Sequence, residues 1–337
     1  MTIGVTMITY LITGATGYIG SALISFLLKN TQAANENLPV HIIAPVRNMR
    51  KAFELFPTGV TFLQVNLCDR LSVKQLLETA KGVDCILHCA SITTSAEMIS
   101  HPVEVTESIV NITQNILEYA KNSLVKSMVY LSSMEVYGSI DCPDGHRITE
   151  EEVLRGAVEL LSSRSCYPLG KRMAENLCYS YYKEYGVPVK IARLAQTFGE
   201  GVLLSDQRVF AQFARAVMEN NDIVLHTQGH SMGNYCGIHD AISGIMTVLE
   251  KGTNGQAYNV VNESNTMTIR QMAELVADKM ADGRIKVVYD IPEENRYGYA
   301  ADTALRLSGE KLMSLGWKPE EDLETMYAQL MLSLNKY

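Results

Sequence analysis

Two residues four apart, Tyr167 and Lys171, together with the serine pair Ser132-Ser133, are the groups in this chain best suited to move a proton. Spacing of four on a helix puts both side chains on one face. An ammonium beside a phenol favours the phenolate and brings a pKa that is otherwise about 10 towards the range of a general base. Pro168 marks the opening of the helix. Lys171 can also hold a ribose hydroxyl, and a serine hydroxyl can share the proton of a substrate. Such pairs also stand on solvated helices. The serine pair at the end of a predicted strand singles this one out, because in a parallel sheet ligand chemistry gathers at the carboxyl ends of strands.

A cofactor for that chemistry is suggested near the start of the chain. In Leu11-Ile12-Thr13-Gly14-Ala15-Thr16-Gly17-Tyr18-Ile19-Gly20 an apolar strand runs into three glycines spaced by two residues and then into a helix. Gly14 suits the tight turn, Gly17 admits a diphosphate close to the backbone, and Gly20 lets the helix pack on the strand. The helix that opens near Tyr18 offers unpaired N–H groups to phosphates. The second strand ends at Arg47, where an acid would accept from the adenosine ribose of NAD; a guanidinium there can clasp a 2′-phosphate and favours NADP, or stands in solvent beside Arg50 and Lys51. After the third strand, Asn66, Leu67 and Asp69 fall where the adenine would lie. Asp69 suits a helix cap equally well.

The elements that must position these groups alternate. Short apolar runs at 40–46, 60–65, 84–89, 126–132 and 187–194 are separated by helical patterns at 71–80, 102–121 and 168–185, which predicts a doubly wound parallel α/β sheet of Rossmann type. Past residue 195 the rhythm changes. Residues 1–195 read as the dinucleotide-binding domain, completed by segments near 239–262, with a strand at 257–261. Residues 196–337 read as a smaller α/β substrate domain with a helix at 209–219. A closing strand or loop at 297–307 and a terminal helix at 312–317 are expected.

Composition narrows the function. With 337 residues, 47% of them hydrophobic, the chain can bury a large core. A net charge of −8 without clustered Lys and Arg argues against nucleic acid. Seven cysteines show no CxxC pair and suggest reduced thiols in the cytoplasm rather than a disulfide framework or a metal site. The apolar N-terminal stretch lacks a basic leader and reads as strand one, and no apolar run reaches membrane-spanning length.

Taken together, these motifs resemble the extended short-chain dehydrogenase/reductases, in the NAD-dependent epimerase/dehydratase group that acts on nucleotide sugars. Thr13 to Gly20 matches the group's cofactor loop, and Leu87-His88-Cys89-Ala90-Ser91 matches its segment beside the nicotinamide ribose. Ser132-Ser133-Met134-Glu135-Val136-Tyr137-Gly138 is similar to its serine motif, in which the resemblance makes Ser133 catalytic. Arg164-Ser165-Cys166-Tyr167-Pro168-Leu169-Gly170-Lys171-Arg172 resembles the active-site helix, most closely that of UDP-glucuronate decarboxylases. The resemblance implies oxidation of a sugar hydroxyl at carbon 4 by way of Tyr167, followed by epimerisation, dehydration or decarboxylation. Glu135 stands where the group has a second base, or pairs structurally with a nearby Arg. Met134 replaces the dehydratase's Asp. Arg193, Gln196 and Thr197 fall in a substrate-facing segment. Arg208 matches a basic position that meets the nucleotide, or is a helix-start Arg in solvent.

Several positions depart from the group, among them Gly233 in place of a diphosphate-binding Arg, Ile109 in place of an Asn, and Gly170 in place of a Ser. The loss at Gly233 keeps a second reading open, an NADPH-dependent carbonyl reductase of a small metabolite. A cofactor-binding regulator without turnover is a third. Pairing of the helices at 102–121 and 168–185 across a two-fold axis, as resembling proteins do, implies a homodimer.

Overall fold

The computed structural model describes residues 7–33, 39–140, 142, 145–292 and 303–335. Its centre is a seven-stranded sheet built from β1 (Ile8–Thr13), β2 (Val40–Val46), β3 (Thr61–Gln64), β4 (Cys85–His88), β5 (Ser127–Ser133), β6 (Val189–Leu194) and the strand Ala257–Val260. The order across the sheet is β3-β2-β1-β4-β5-β6 and then Ala257–Val260. β1 pairs in parallel with both β2 and β4, β2 with β3, and β4 with β5. The chain order therefore reverses between β1 and β4, and such a switch opens a crevice at the carboxyl ends of the strands. Central strands can be apolar on both faces when helices cover them, and Leu11, Ile12, Ile42, Ile86 and Leu87 are all buried.

The helices follow from local chemistry. α1 (Tyr18–Ala33) leaves the glycine loop, α2 (Met49–Leu55) is capped by Asn48, α3 (Arg70–Thr79) follows, and α4 (Ser95–Ser100) precedes α5 (Pro102–Lys121), which has proline in its first turn. α6 (Cys166–Tyr185) begins two residues before Pro168; a proline in the first turn lacks only an N–H that would have no partner there. It ends at Gly186 in the left-handed conformation, with φ 71°. Val105, Ile109 and Ile116 of α5 and Ala174, Cys178 and Tyr181 of α6 share one core with Ile86 of β4 and Met128 of β5.

By compactness the chain forms two units. One holds the described residues up to Gly138 with Val158–Arg193 and Ile245–Tyr258; the other holds Ser139–Ala157, Leu194–Gly244 and the described residues from Asn259 onward. The second unit contains three two-stranded ribbons: Gln196–Phe198 with Tyr235–Gly237, Met232–Gly233 with Met267–Thr268, and Ile223–Leu225 with Val287–Tyr289. Its core is aromatic, with Phe198 stacked on Phe210 of α7 (Val209–Glu219) at 4.4 Å between centroids and edge-on to Tyr235 and Tyr327. α8 (Ile238–Lys251) contributes to both units.

The C-terminal part corrects the sequence reading. α9 (Ile269–Leu275), with a capping box from Thr268 and Gln271, was not anticipated. α10 is confined to Glu310–Met313, and the last helix among the described residues is α11 (Leu323–Leu334) rather than residues 312–317. Gly316, at φ 94°, turns the chain away, and Asp322 restarts it by accepting from the N–H of Thr325. Most of the expected closing strand at 297–307 lies outside the described residues, and Leu307 forms a parallel bridge to Ile148.

One buried ion pair holds β5, β6 and α6 together. Arg193 of β6 donates to both carboxylate oxygens of Glu175, at 3.0 and 2.8 Å, and to the Tyr137 hydroxyl at 3.0 Å. Ser132 of β5 donates to the same carboxylate at 2.6 Å. Removing one member of such a pair leaves a buried charge uncompensated, so Glu175→Gln should destabilise the chain by about 3–5 kcal/mol in urea unfolding, whereas an exposed pair such as Arg50–Glu54 should contribute under about 1 kcal/mol.

Candidate functional site

At the end of β5 the two serines separate, because alternate strand residues face opposite ways. Ser132 is buried and held by Glu175, so it serves the core. Ser133 is half-buried, and its Oγ accepts from the Glu135 N–H at 3.2 Å. That places the hydroxyl over the short turn Met134–Tyr137. Tyr167 lies in the first turn of α6, 7% exposed. One turn further along, Lys171 is 3% exposed, donates to the Leu131 carbonyl at 2.8 Å, and stands 5.7 Å from the Tyr167 ring centroid and 4.9 Å from that of Tyr130. Burial pulls the Lys171 pKa down to about 8, against the charge of Glu175. The ammonium is thus poorly solvated and close to a phenol whose ionised form it would stabilise.

Glu135 faces a guanidinium. Its carboxylate is one-third exposed and accepts from the Arg164 guanidinium at 3.1 and 3.3 Å. Burial raises its pKa and Arg164 opposes the rise. Arg164, in the turn before α6, also donates to Ser95 Oγ at 3.1 Å, and in the second turn of α6 Arg172 donates to the Val136 carbonyl at 2.7 Å. The serine-bearing turn is therefore stitched to the tyrosine helix on both sides of Tyr167.

The glycine loop fits a dinucleotide. Gly14 has φ 68°, and a Cβ there would meet the backbone of Cys89 and Ala90 at 2.9 Å. A Cβ on Gly20 would stand 2.3 Å from the Gly14 carbonyl oxygen, so only glycine lets α1 come this close to the turn. Gly17 N–H donates to Gly14 at 2.9 Å, closing the loop beside Ala15 and Thr16. Tyr18, Ile19 and Gly20 form the first turn of α1, where N–H groups lack helical partners. Cys89, Ala90 and Ser91 follow β4 on the other side of the switch and are half-buried.

At the far end of the crevice edge, Arg47 is exposed directly after β2 and opposes the burial that pushes the Cys68 thiol up. Asn66 is exposed and accepts from the Cys68 N–H at 3.1 Å, while Leu67 is buried and its carbonyl accepts from Asn115 of α5 at 2.9 Å. Asp69 caps α3, accepting from the N–H groups of Leu71 and Ser72, which is the second of its two sequence readings.

The remaining candidates belong to the second unit, apart from Arg193. Arg193 is 4% exposed and committed to Glu175, which corrects its place in a substrate-facing segment. Gln196 is half-buried in its ribbon; Thr197 is buried and its hydroxyl donates to the Ala195 carbonyl at 3.1 Å. Arg208 precedes α7 and is clasped by Asp206, at 2.6 Å for the shortest of three side-chain bonds. At Gly233 a Cβ would stand 2.3 Å from the Tyr235 phenol oxygen. The place of the expected Arg is thus filled by a tyrosine ring.

Sequence reasoning missed two features. The Glu175–Arg193 pair had a signal: Glu175 continues the Tyr167, Lys171 stripe one turn further, and an acid on an inward face requires a cation. The buried His88, bonded to Thr13 at 2.7 Å and Thr113 at 3.2 Å, had none, since the three residues lie on separate elements. The two departures Ile109 and Gly170 touch each other: a Cβ on Gly170 would meet the Ile109 side chain at 3.1 Å.

Among known proteins, residues 10–262 match the family described as NAD dependent epimerase/dehydratase. UDP-glucuronic acid decarboxylase 6 of Arabidopsis thaliana is 28% identical over 319 residues, covering 93% of this chain and 84% of that protein. The fold is shared with UDP-glucose 4-epimerase of Thermotoga maritima, solved with UDP-glucose, at a TM-score of 0.81 and 19% identity over 98% of this chain and 99% of that one. It is shared also with a dTDP-glucose 4,6-dehydratase of Streptomyces venezuelae, solved with NAD bound, at 0.76 and 22% over 98% and 97%.

A lysine whose pKa is lowered on folding costs stability while it is charged, and the cost is relieved as pH rises from about 8 towards its unfolded value. Wild-type stability should therefore rise over that interval relative to Lys171→Met, measured by unfolding in a pH series. A ribose contact made by the ammonium should weaken over the same interval, seen as falling dinucleotide affinity above about pH 8.

Proposed function

Because this chain belongs to the NAD-dependent epimerase/dehydratase family, we propose that it remodels a nucleotide-activated sugar through a ketone formed transiently at carbon 4. The observation that carries the reading is the buried Lys171 held between the Leu131 carbonyl and the Tyr167 ring at the end of β5. Tyr167 takes the proton of the sugar hydroxyl, Lys171 stabilises the phenolate so formed and holds a ribose hydroxyl, and Ser133 orients the sugar oxygen. When bound, the nicotinamide supplies the acceptor, and later the donor, of the hydride from carbon 4. The ketone acidifies its neighbours or weakens an adjacent carboxylate. Glu135, held by Arg164, stands ready as a second base for that step. Gly14, Thr16, Gly17, Tyr18, Ile19 and Gly20 hold the diphosphate, Cys89, Ala90 and Ser91 flank the nicotinamide ribose, and Asn66 and Leu67 border the adenine. Gln196, Thr197 and Arg208 meet the sugar nucleotide.

Arg47 supports NADP over NAD, because its exposed guanidinium follows β2 where a 2′-phosphate would lie. A second reading, NADPH-dependent reduction of a small carbonyl compound, is favoured by Gly233, where the Tyr235 ring replaces a diphosphate-binding cation, and by the commitment of Arg208 to Asp206. Two copies of the chain would pair through α5 and α6. These helices leave between their N-terminal halves a largely apolar groove of about 620 Å³, with Val103, Leu160 and Met173 more than half exposed along it. No helix among the described residues is long and apolar enough to cross a membrane, and the seven cysteines are free thiols, which suits a reducing cytoplasm.

Mixing the protein with NAD or NADP and a panel of UDP-, dTDP-, GDP- and CDP-sugars should give a converted sugar by mass spectrometry and NMR; failure with every member would refute the main reading. Tyr167→Phe should lower kcat by about 10²- to 10⁴-fold. Net oxidation of NADPH in the steady state would instead select the reductase. Arg47→Asp should shift the cofactor preference towards NAD, read as the ratio of the two dissociation constants. Sedimentation should show a dimer, lost in Met173→Glu.

A further inference from the structure

We infer that His88, which takes no part in the chemistry above, is the positioning residue that sets the carboxyl end of β4 for the dinucleotide, acting through the hydroxyl of Thr13. This rests on the reading that the glycine loop and Cys89–Ser91 hold that cofactor.

The direction of every hydrogen bond in the group follows by elimination. Thr113 Oγ1 donates to the Ile109 carbonyl at 2.6 Å, so it turns lone pairs towards His88 Nε2, 3.2 Å away. Nε2 therefore carries the proton and donates. Nδ1 is left as an acceptor, and the Thr13 hydroxyl donates to it at 2.7 Å. With its proton spent, Thr13 Oγ1 accepts from the N–H groups of Cys89 and Ala90, each at 3.1 Å. A relay thus runs from α5 through the imidazole to the end of β1 and on to the two amides that leave β4.

Those amides belong to the backbone that packs on Gly14, where a Cβ would meet Ala90 N and Cys89 C at 2.9 Å. Beyond the point where the parallel ladder pairs Thr13 with His88, the segment after β4 is therefore tied to the end of β1 by the orientation of one threonine hydroxyl. An apolar side chain could fill the same buried space without losing solvation, so what the imidazole adds is a direction for that proton. The ring must stay neutral to do this, because a cation would present N–H at Nδ1. The groups that face it are Thr13 from β1, Thr113 from α5, the Tyr130 ring of β5 at 5.5 Å and the Lys171 ammonium of α6. None of these is a carboxylate, and burial together with Lys171 pushes the His88 pKa down to about 3.

The test measures dissociation constants of NAD and NADPH by calorimetry for the wild-type chain and for His88→Leu, His88→Gln, His88→Asn, Thr13→Val and the Leu/Val double variant, with Tm for each. Loss of one oriented hydrogen bond of this kind should weaken binding about tenfold, equal to about 1.4 kcal/mol, in His88→Leu, His88→Gln and Thr13→Val. The double variant should be no weaker than either single one, because both act through the same bond. His88→Asn, whose amide oxygen falls near the position of Nδ1, should restore affinity to within about threefold of wild type at a Tm as low as that of His88→Gln. A purely structural role would lower Tm in all three His88 variants and leave their affinities alike. Unchanged affinity in His88→Leu, failure of His88→Asn to rescue, or additive losses would overturn the proposal. Should His88→Leu not fold, His88→Gln against His88→Asn decides the same point. A wild-type chain that binds neither dinucleotide would instead overturn the cofactor reading beneath it.

Discussion

The ion pair between Glu175 and Arg193 is the constraint on which the geometry of the first unit depends. A carboxylate and a guanidinium taken out of water cost several kcal/mol each, and the cost is recovered only when every donor and acceptor has a partner. Here Ser132 and Tyr137 complete the set, so β5, β6, α6 and the turn after β5 meet at one fully bonded point. The pair fixes which serine faces the core and which is left over. Ser133 owes its orientation to the engagement of Ser132, and Tyr167 and Lys171 owe theirs to a helix that cannot rotate without breaking the pair.

Around that point the helix is fastened to the strand by backbone carbonyls rather than by further charges. Lys171 takes the Leu131 carbonyl and Arg172 takes that of Val136, while Arg164 holds Glu135 from the turn before the helix. Carbonyl oxygens cannot be lost by mutation of a side chain. Groups that must stay within a few tenths of an ångström of each other are thus tied to main chain, and the one tie that uses a side-chain carboxylate is also the most exposed.

Much of this was legible beforehand, and the reason differs from element to element. The helices at 102–121 and 209–219 have the bounds that their helical patterns predict; in the structure proline stands in the first turn of the one and Asn220, in the left-handed conformation, ends the other. The glycine loop was legible because its requirements are steric and local: Gly14 and Gly20 have no room for a Cβ. The end of the chain was not, since Gly316 and Asp322 redirect it over a few residues that carry no periodicity. The roles of Arg193 and His88 depend on residues at distances of 18 to 75 positions, and spacing along the chain holds no record of those encounters. The partners of Arg208 and Glu135, Asp206 and Arg164, were likewise not legible, because nothing in the spacing says which acid or base a side chain will face.

Ile109 and Gly170 have a bearing on which substitutions such a site accepts. The methyl group at the tip of the isoleucine occupies the space into which any larger residue at 170 would project, at 3.1 Å from a bare Cβ. A serine placed alone at position 170 would require the Cδ1 tip of Ile109 to give way by a few tenths of an ångström, and a polar residue placed alone at position 109 would be buried opposite a glycine that offers it no side-chain partner. Each residue therefore limits what its neighbour can be, and the two positions are best exchanged together.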